Sequence, residues 1–354
     1  MHRVSKRAFQ IFAYRLPFRE PVPLKGVTLT HREGLLLKLA DEDGVEGWGE
    51  IAPLPGFSRE TLVETLRNAE TVARLWCSKF PDALFSLRAP SIRFGMEQAA
   101  WHIDATRNGL SLHQLVSPNA RDRVRLCALL FGDSREQMSK AIRSRLVGYR
   151  TVKIKVGRRA PEMDAQLIMQ LSADLGADVR IRLDANRGWS LEDAVRFAKM
   201  VEGLPIEFIE EPVSNPQALQ AFYSRAGMPL ALDETVLDHK LAEWKKIKGV
   251  VAVVLKPTLA GGLKACVDIA NAAVSIGAMP VVSSSFESGV GTIGLAALAA
   301  FVTRSDEAAG LDPHWRLAED VLRERLDIVN GTLYLAGMKR LDIRTEILRE
   351  VCRG

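Results

Sequence analysis

No uninterrupted apolar run in this 354-residue chain is long enough to cross a bilayer, so no membrane-spanning segment is expected. The opening residues, Met1-His2-Arg3-Val4-Ser5-Lys6, have no apolar stretch behind them, which argues against a secretory leader. Cysteine is scarce. Cys77, Cys127, Cys266 and Cys352 lie far apart, with no Cys-x-x-Cys pair, and fit reduced thiols in a cytoplasmic protein. Charge of one sign is also lacking: 48 basic residues stand against 43 acidic ones, and the net +5 is scattered rather than clustered. A solvated exterior, not a nucleic-acid surface, is the expectation. The apolar content of 47% is ordinary for a globular protein, and the length suggests a large core or two domains.

The first 120 residues read as one α+β unit. Residues 3–14 alternate as a strand, and Pro17, Pro21 and Pro23 then predict a loop. Val27 to Leu39 is a second strand, Asp41 to Gly44 a turn, and Val45 to Glu50 a third extended run, which makes an antiparallel meander. The loop Ala52–Ser58 follows, then helical patterns over 59–78 and 94–108, with Ser58 or Arg59 opening the first. From Val124 the pattern alternates strand with helix. Strands are expected at 124–131, 151–156, 179–184, 206–210, 229–232, 250–255, 280–284 and 308–311, and helices between them, including one at 238–246. Eight strands in this order predict an α/β fold: a (β/α)8 barrel spanning 121–318 behind an α+β capping domain at 1–120. Asn330-Gly331 between apolar runs signals a hairpin in a tail, 319–354, expected to pack back on the cap.

Successive barrel strands end in charge: Lys153 and Lys155, then Asp184, Glu210, Asp233 and Lys256. In a closed parallel barrel the C-terminal strand ends meet at one face, where active sites lie. A single lysine or aspartate at a strand end is most often a solvated loop residue, but this ordered set is hard to obtain by chance. Three converging carboxylates repel one another unless a cation joins them. Oxygen ligands with no His or Cys nearby suit Mg²⁺ or Mn²⁺. Lysines flanking such an ion could remove the proton beside a carboxylate and hold the resulting enediolate, provided the basic lysine has a lowered pKa. The expected partner is therefore a small carboxylate. Glu211 and Glu234 each follow an expected ligand by one position and face either its surroundings or the loop.

The set Lys-x-Lys, Asp-x-Asn, Glu-Glu-Pro, Asp-Glu and Lys-Pro resembles the enolase superfamily, in its muconate-lactonizing subgroup, whose lysine bases and Mg²⁺ are known chemistry. The resemblance covers nearly the whole chain. Gly47-Trp48-Gly49-Glu50-Ile51-Ala52-Pro53-Leu54-Pro55-Gly56-Phe57-Ser58 is similar to the capping-domain loop of the o-succinylbenzoate synthase family of menaquinone biosynthesis. Arg182 to Trp189 and Val282 to Gly291 also resemble that family. The resemblance implies Lys155 as the acid–base residue, Lys256 as a fixed charge across the enediolate, and Lys153 as the residue that orients the substrate carboxylate. It implies Asp184, Glu210 and Asp233 as metal ligands supported by Arg182 and Asn186. Ser283, Ser284 and Ser285 would offer hydroxyls and backbone N–H groups to a distal carboxylate, although the same residues also fit a polar strand end. Phe57 would close over the substrate or pack between domains. The implied reaction is dehydration of 2-succinyl-6-hydroxy-2,4-cyclohexadiene-1-carboxylate. Racemisation of an N-acyl amino acid or epimerisation of a dipeptide is the alternative, and an inactive binding module a distant third.

Overall fold

In the computed structural model, which describes residues 7–24, 26–78, 89–130, 132, 134–239, 241–303 and 306–354, the chain opens with β1 (Ala8–Leu24), β2 (Val27–Ala40), β3 (Glu46–Ile51), α1 (Leu62–Cys77), α2 (Pro90–Arg107) and α3 (Leu112–Val116). It continues through β4 (Arg123–Arg125), β5 (Ala128–Leu130), α4 (Arg135–Arg145), β6 (Thr151–Lys155), α5 (Pro161–Leu175), β7 (Arg180–Asp184) and α6 (Leu191–Met200). Next come β8 (Ile206–Glu210), α7 (Leu219–Ala226), β9 (Leu230–Leu232), α8 (Glu234–Asp238), α9 (Leu241–Trp244), β10 (Val250–Leu255), α10 (Pro257–Ala260), α11 (Leu263–Ser275), β11 (Met279–Val282) and α12 (Gly289–Val302). Then β12 (Ile328–Val329), β13 (Thr332–Tyr334) and β14 (Arg349–Arg353) end it. Met1 to Lys6, the opening of the expected first strand, and Phe131, the end of the fourth, lie outside the described residues.

The capping sheet is antiparallel in the order β14-β1-β2-β3, so the last strand of the chain pairs with the first. The expected proline loop is instead the second half of β1. Pairing with β2 skips from Pro17 to Val22, so the bulge absorbs Pro21. β14 reaches only to Ala13, so the proline half of β1 is an edge, where a missing N–H costs no ladder bond. Helix α1 starts later than Ser58. Thr61 and Glu64 form the capping box, with Thr61 N donating to Glu64 Oε2 at 2.9 Å and Glu64 N to Thr61 Oγ1 at 3.3 Å. Ser58 instead accepts a bond from Leu54 N at 2.8 Å and closes the 54–58 turn.

The second sheet is parallel, seven-stranded and ordered β11-β10-β9-β8-β7-β6-β5. Residues 308–311 fill the eighth place: Gly310 bridges Ser283 on one side and Ala309 bridges Leu126 on the other, both parallel. This closes a (β/α)8 barrel. The expected strand 124–131 splits, because β4 leaves the barrel to join the hairpin β12-β13. That hairpin turns on Asn330 and Gly331, both at positive φ (49° and 67°), as a two-residue turn requires. Side chains alternate by strand period. Val152, Ile154, Ile181, Leu183 and Ile209 join the core beneath the helices, whereas Phe208, Ala231, Ala252 and Val281 form a separate small cluster that plugs the barrel. Ser190 caps α6 by accepting from Asp193 N, as its position before Glu192-Asp193 suggests. The helix expected at 238–246 is replaced by α8, which starts directly after Asp233, and the short α9. No helix among the described residues is long and apolar enough to cross a membrane.

Candidate active site

Backbone register brings the charged strand ends together. Lys155, Asp184 and Glu210 lie on one rung across β6, β7 and β8, with Lys153 and Arg182 paired one side-chain layer below. Asp233 follows β9 and Lys256 follows β10, the next two strands round the ring. Lys153 Nζ donates to Glu210 Oε2 at 2.6 Å and lies 2.7 Å from Asp184 Oδ2. Lys155 Nζ donates to Asp184 Oδ2 and to Asn186 Oδ1, each at 2.6 Å. Lys256 pairs with Asp233. The three carboxylates are buried, at 1%, 1% and 3% exposure for Asp184, Glu210 and Asp233, while the lysines reach a cavity of about 370 Å³ above them.

The residues around this cluster divide by role. Asn186 links Lys155 to the rung, since its own N–H donates to Asp184 Oδ1 at 3.0 Å. Arg182 is aimed away: its guanidinium bonds Glu207 Oε2 and the Ala308 carbonyl, both at 2.6 Å, and stacks on Phe208. Arg182 thus braces the barrel beneath the site. Glu211 is wholly buried and accepts from Asp233 N (3.0 Å), Thr235 N (2.8 Å) and Thr235 Oγ1 (2.8 Å), so it fixes the turn that carries Asp233. Glu234 lines the cavity. Four of the five non-glycine residues at positive φ among the described residues, Asn186, Arg187, Glu211 and Phe286, follow barrel strands at this face, where stored backbone strain is typical of functional loops.

Ser283, Ser284, Ser285 and Phe57 all line the cavity. The serine backbone donors are already used: Ser283 N bonds Leu255 O, Ser284 N bonds Gly310 O and Ser285 N bonds Glu287 Oε2. The Ser284 hydroxyl donates to Glu287 as well (2.7 Å), so it is polar filling of the strand end. Ser285 Oγ is buried and unpaired. The capping sheet holds this segment directly. Arg32, 1% exposed, donates to the carbonyls of Ala52, Pro53, Ser285 and Phe286. Glu50 accepts from Ser288 N, Ser288 Oγ and Gly291 N as well as from Tyr14. Sequence reading missed Arg32, Arg158, Arg316 and the cavity-lining end of β1. Arg158, three residues beyond Lys155, and Arg316, after the eighth barrel place, could have been found by extending the strand-end rule into the loops.

Residues 135–337 match the family model described as Enolase C-terminal domain-like, and residues 6–103 the model described as MenC, N-terminal domain. An o-succinylbenzoate synthase of Aliivibrio fischeri (strain ATCC 700601 / ES114) is 34% identical over 307 residues, covering 86% of this chain and 89% of that protein. The chain belongs to the o-succinylbenzoate synthase family. Its members are hydro-lyases of the enolase superfamily. Among solved structures, the N-succinyl Arg/Lys racemase of Bacillus cereus ATCC 14579 superposes with a TM-score of 0.87 at 21% identity, over 99% of both chains. An enolase superfamily member of Roseovarius nubinhibens ISM, complexed with magnesium, gives 0.84 at 24% identity, again over 99% of both. These two likenesses concern the fold.

Enolase superfamily enzymes depend on a divalent metal, and the residues of this site fit one. Glu210 Oε1 is buried and without a hydrogen-bond partner, an acceptor with nothing to accept. Burial and the negative charge of Asp184 hold the Glu210 carboxyl well above its usual range. Burial pushes Asp184 up too, but the ammonium groups of Lys153 and Lys155 outweigh it and hold Asp184 low. Burial works to lower Lys153, yet Asp184, Glu210 and Asp233 together raise it, and Lys256 is raised against burial by Asp233 and Glu210. These carboxylates therefore raise Lys153 and Lys256 rather than lower them. Among the described residues no three His, Cys, Asp or Glu side chains stand ready-set around an ion, and lysine ammonium groups lie against Asp184 Oδ2, Glu210 Oε2 and Asp233 Oδ2.

Proposed function

We propose that this protein dehydrates 2-succinyl-6-hydroxy-2,4-cyclohexadiene-1-carboxylate to o-succinylbenzoate, the menaquinone-pathway step. The observation that carries this reading is the relationship to an o-succinylbenzoate synthase at 34% identity over 86% of the chain. Asp184, Glu210 and Asp233 would hold Mg²⁺ or Mn²⁺, which supplies positive charge where the substrate carboxylate gains electron density. Lys155, as the free amine, takes the proton from the carbon bearing the carboxylate. The same ammonium then returns that proton to the departing hydroxide, so that water leaves and the ring becomes aromatic. One group on one face suffices for both transfers. Asn186 and Asp184 fix the position of Lys155 Nζ. Lys256, on the opposite flank of the carboxylates, holds the electron-rich enediolate by charge, and Lys153 orients the substrate carboxylate. Phe57 and Leu54, from the turn closed by Ser58, line the cavity and would exclude water once substrate is bound.

The racemase reading uses the same two lysines as a pair of bases, and the likeness in fold to the N-succinyl Arg/Lys racemase fits it. The capping-loop sequence and the family relationship favour dehydration. Stripping the purified protein with a chelator should abolish formation of the aromatic product, followed by its ultraviolet absorbance, and Mg²⁺ or Mn²⁺ should restore it. Full activity in a metal-free preparation would mean that Asp184, Glu210 and Asp233 hold no catalytic metal.

A further inference from the structure

Arg32 stands on β2 opposite Leu16 of β1 and is 1% exposed, buried where the cap meets the barrel. A guanidinium carries five N–H donors in a fixed planar fork. All five meet main-chain carbonyls here, and none meets a carboxylate. Nε donates to Phe286 O at 3.1 Å, and Nη1 to Glu33 O and Pro53 O at 2.9 Å each. Nη2 donates to Ala52 O and, at 3.4 Å, to Ser285 O. Four of these acceptors come from two segments far apart in the chain. Residues 52–53 open the loop that carries Leu54 and Phe57, and residues 285–286 follow β11. Leu54, Phe57, Ser285 and Phe286 all line the cavity, whereas Arg32 does not.

Both segments need this donor. Ala52, Pro53, Ser285 and Phe286 are buried, so bulk water cannot take the place of a lost N–H. Facing carbonyls repel one another unless a donor stands between them. Phe286 is also held at φ 63°, a left-handed conformation that a bulky side chain rarely adopts and that its surroundings must impose. Arg32 Nε binds its carbonyl, its own N–H donates to Ser284 Oγ at 2.9 Å, and the Phe18 ring meets its ring in a T-shape at 5.7 Å. A lysine at position 32 would keep the charge, but the three donors of one ammonium cannot serve four spread carbonyls.

We propose that Arg32 is a positioning residue for the reaction. It fixes loop 52–58 of the cap against residues 285–286 of the barrel, so the cavity above the carboxylates has one width before any substrate enters. It acts through the main chain of both segments and touches no substrate. The proposal rests on the dehydration reading only for the reaction that reports it.

Arg32→Lys and Arg32→Met, with folding checked by circular dichroism, test it in two ways. In the Mg²⁺-loaded variants kcat/KM for dehydration should fall by about a hundredfold, the scale of an ångström's misplacement, with kcat falling more than KM rises. Mn²⁺ affinity should stay that of the wild type. A lower melting point with unchanged kinetics per folded molecule makes Arg32 structural and overturns the proposal. So does full activity in Arg32→Lys, or a parallel loss of Mn²⁺ affinity. The second measurement is hydrogen–deuterium exchange without substrate. The N–H groups of Leu54, Phe57 and Ser58, and those of Ser285 and Phe286, bond within their own segments. Both segments should lose protection together in the variants, while α5 and α6 keep theirs. Loss in one segment alone, in neither, or throughout the chain overturns the proposal, as does failure of both variants to fold. If the wild type does not dehydrate the cyclohexadiene, the dehydration reading falls by itself, and the exchange result alone decides for or against Arg32.

Discussion

Lys155 and Lys256 carry the same charge on opposite flanks of the carboxylates, but their settings differ. Lys155 is shared between Asp184 and Asn186, whereas Lys256 is committed to Asp233. An acid–base residue and a fixed charge need that difference. Lys155→Arg retains a cation but cannot give up a proton near neutrality, so kcat should fall by at least about a thousandfold. A loss under about tenfold in steady-state kinetics means another base acts. A second residue-scale effect belongs to stability. His102 Nδ1 accepts from Trp48 N at 3.0 Å, and burial lowers its pKa from 6.5 to about 4. The unfolded chain therefore binds the proton between those values and the native one does not, so stability is lost as pH falls through 6.5 towards 4. Between pH 7 and pH 5 the wild type should lose roughly 2 kcal/mol more than His102→Gln, read as the difference in urea unfolding free energy. Equal losses would show that His102 titrates alike in both states.

The elements that position the site depend on close approach and on distant caps. A Cβ on Gly49 of β3 would stand 1.9 Å from the Gly95 carbonyl of α2, so strand and helix meet backbone to backbone. Gly49→Ala should cost about 2 kcal/mol or more, measured by denaturant unfolding, and an unchanged midpoint would deny that contact. The glycines of Gly47-Trp48-Gly49-Glu50 were legible as a motif, but their reason lies in α2, almost fifty residues on. The barrel was legible for a local reason: each strand is a short apolar run ending in charge, and Ser190 announces the helix that follows it. Where distant groups decide, local reading failed. The backbone of α8 starts at Glu234 because Glu211, from the previous strand end, takes the N–H groups of Asp233 and Thr235. β1 runs past three prolines because β14 reaches only to Ala13, and beyond it the outer edge of β1 meets only the bridge from Phe18 to Leu317 among the described residues. The resemblance implied Arg182 as support for the metal ligands, but its guanidinium is turned to Glu207 and the Ala308 carbonyl, a pairing made by residues distant in sequence.

At the scale of the whole molecule, the site belongs to both halves. The barrel supplies the lysines and carboxylates, and the cap supplies Leu54, Phe57 and the end of β1 to the cavity wall. Arg32 and Glu50 reach from the capping sheet to residues 285–291, so the cap's position and the strand end beyond β11 are set together. Such a joint site lets one lysine-and-carboxylate set serve different substrates by changing what the cap and the far wall accept. Dehydration and racemisation are separated by a comparison in D₂O. The metal-loaded protein is given the cyclohexadiene substrate and, separately, single enantiomers of N-acyl amino acids, while aromatic product, α-deuteration and inversion are followed by NMR and polarimetry. The kcat/KM for dehydration should exceed that for any inversion by orders of magnitude. Efficient inversion of an acyl amino acid with negligible dehydration would contradict the dehydratase reading.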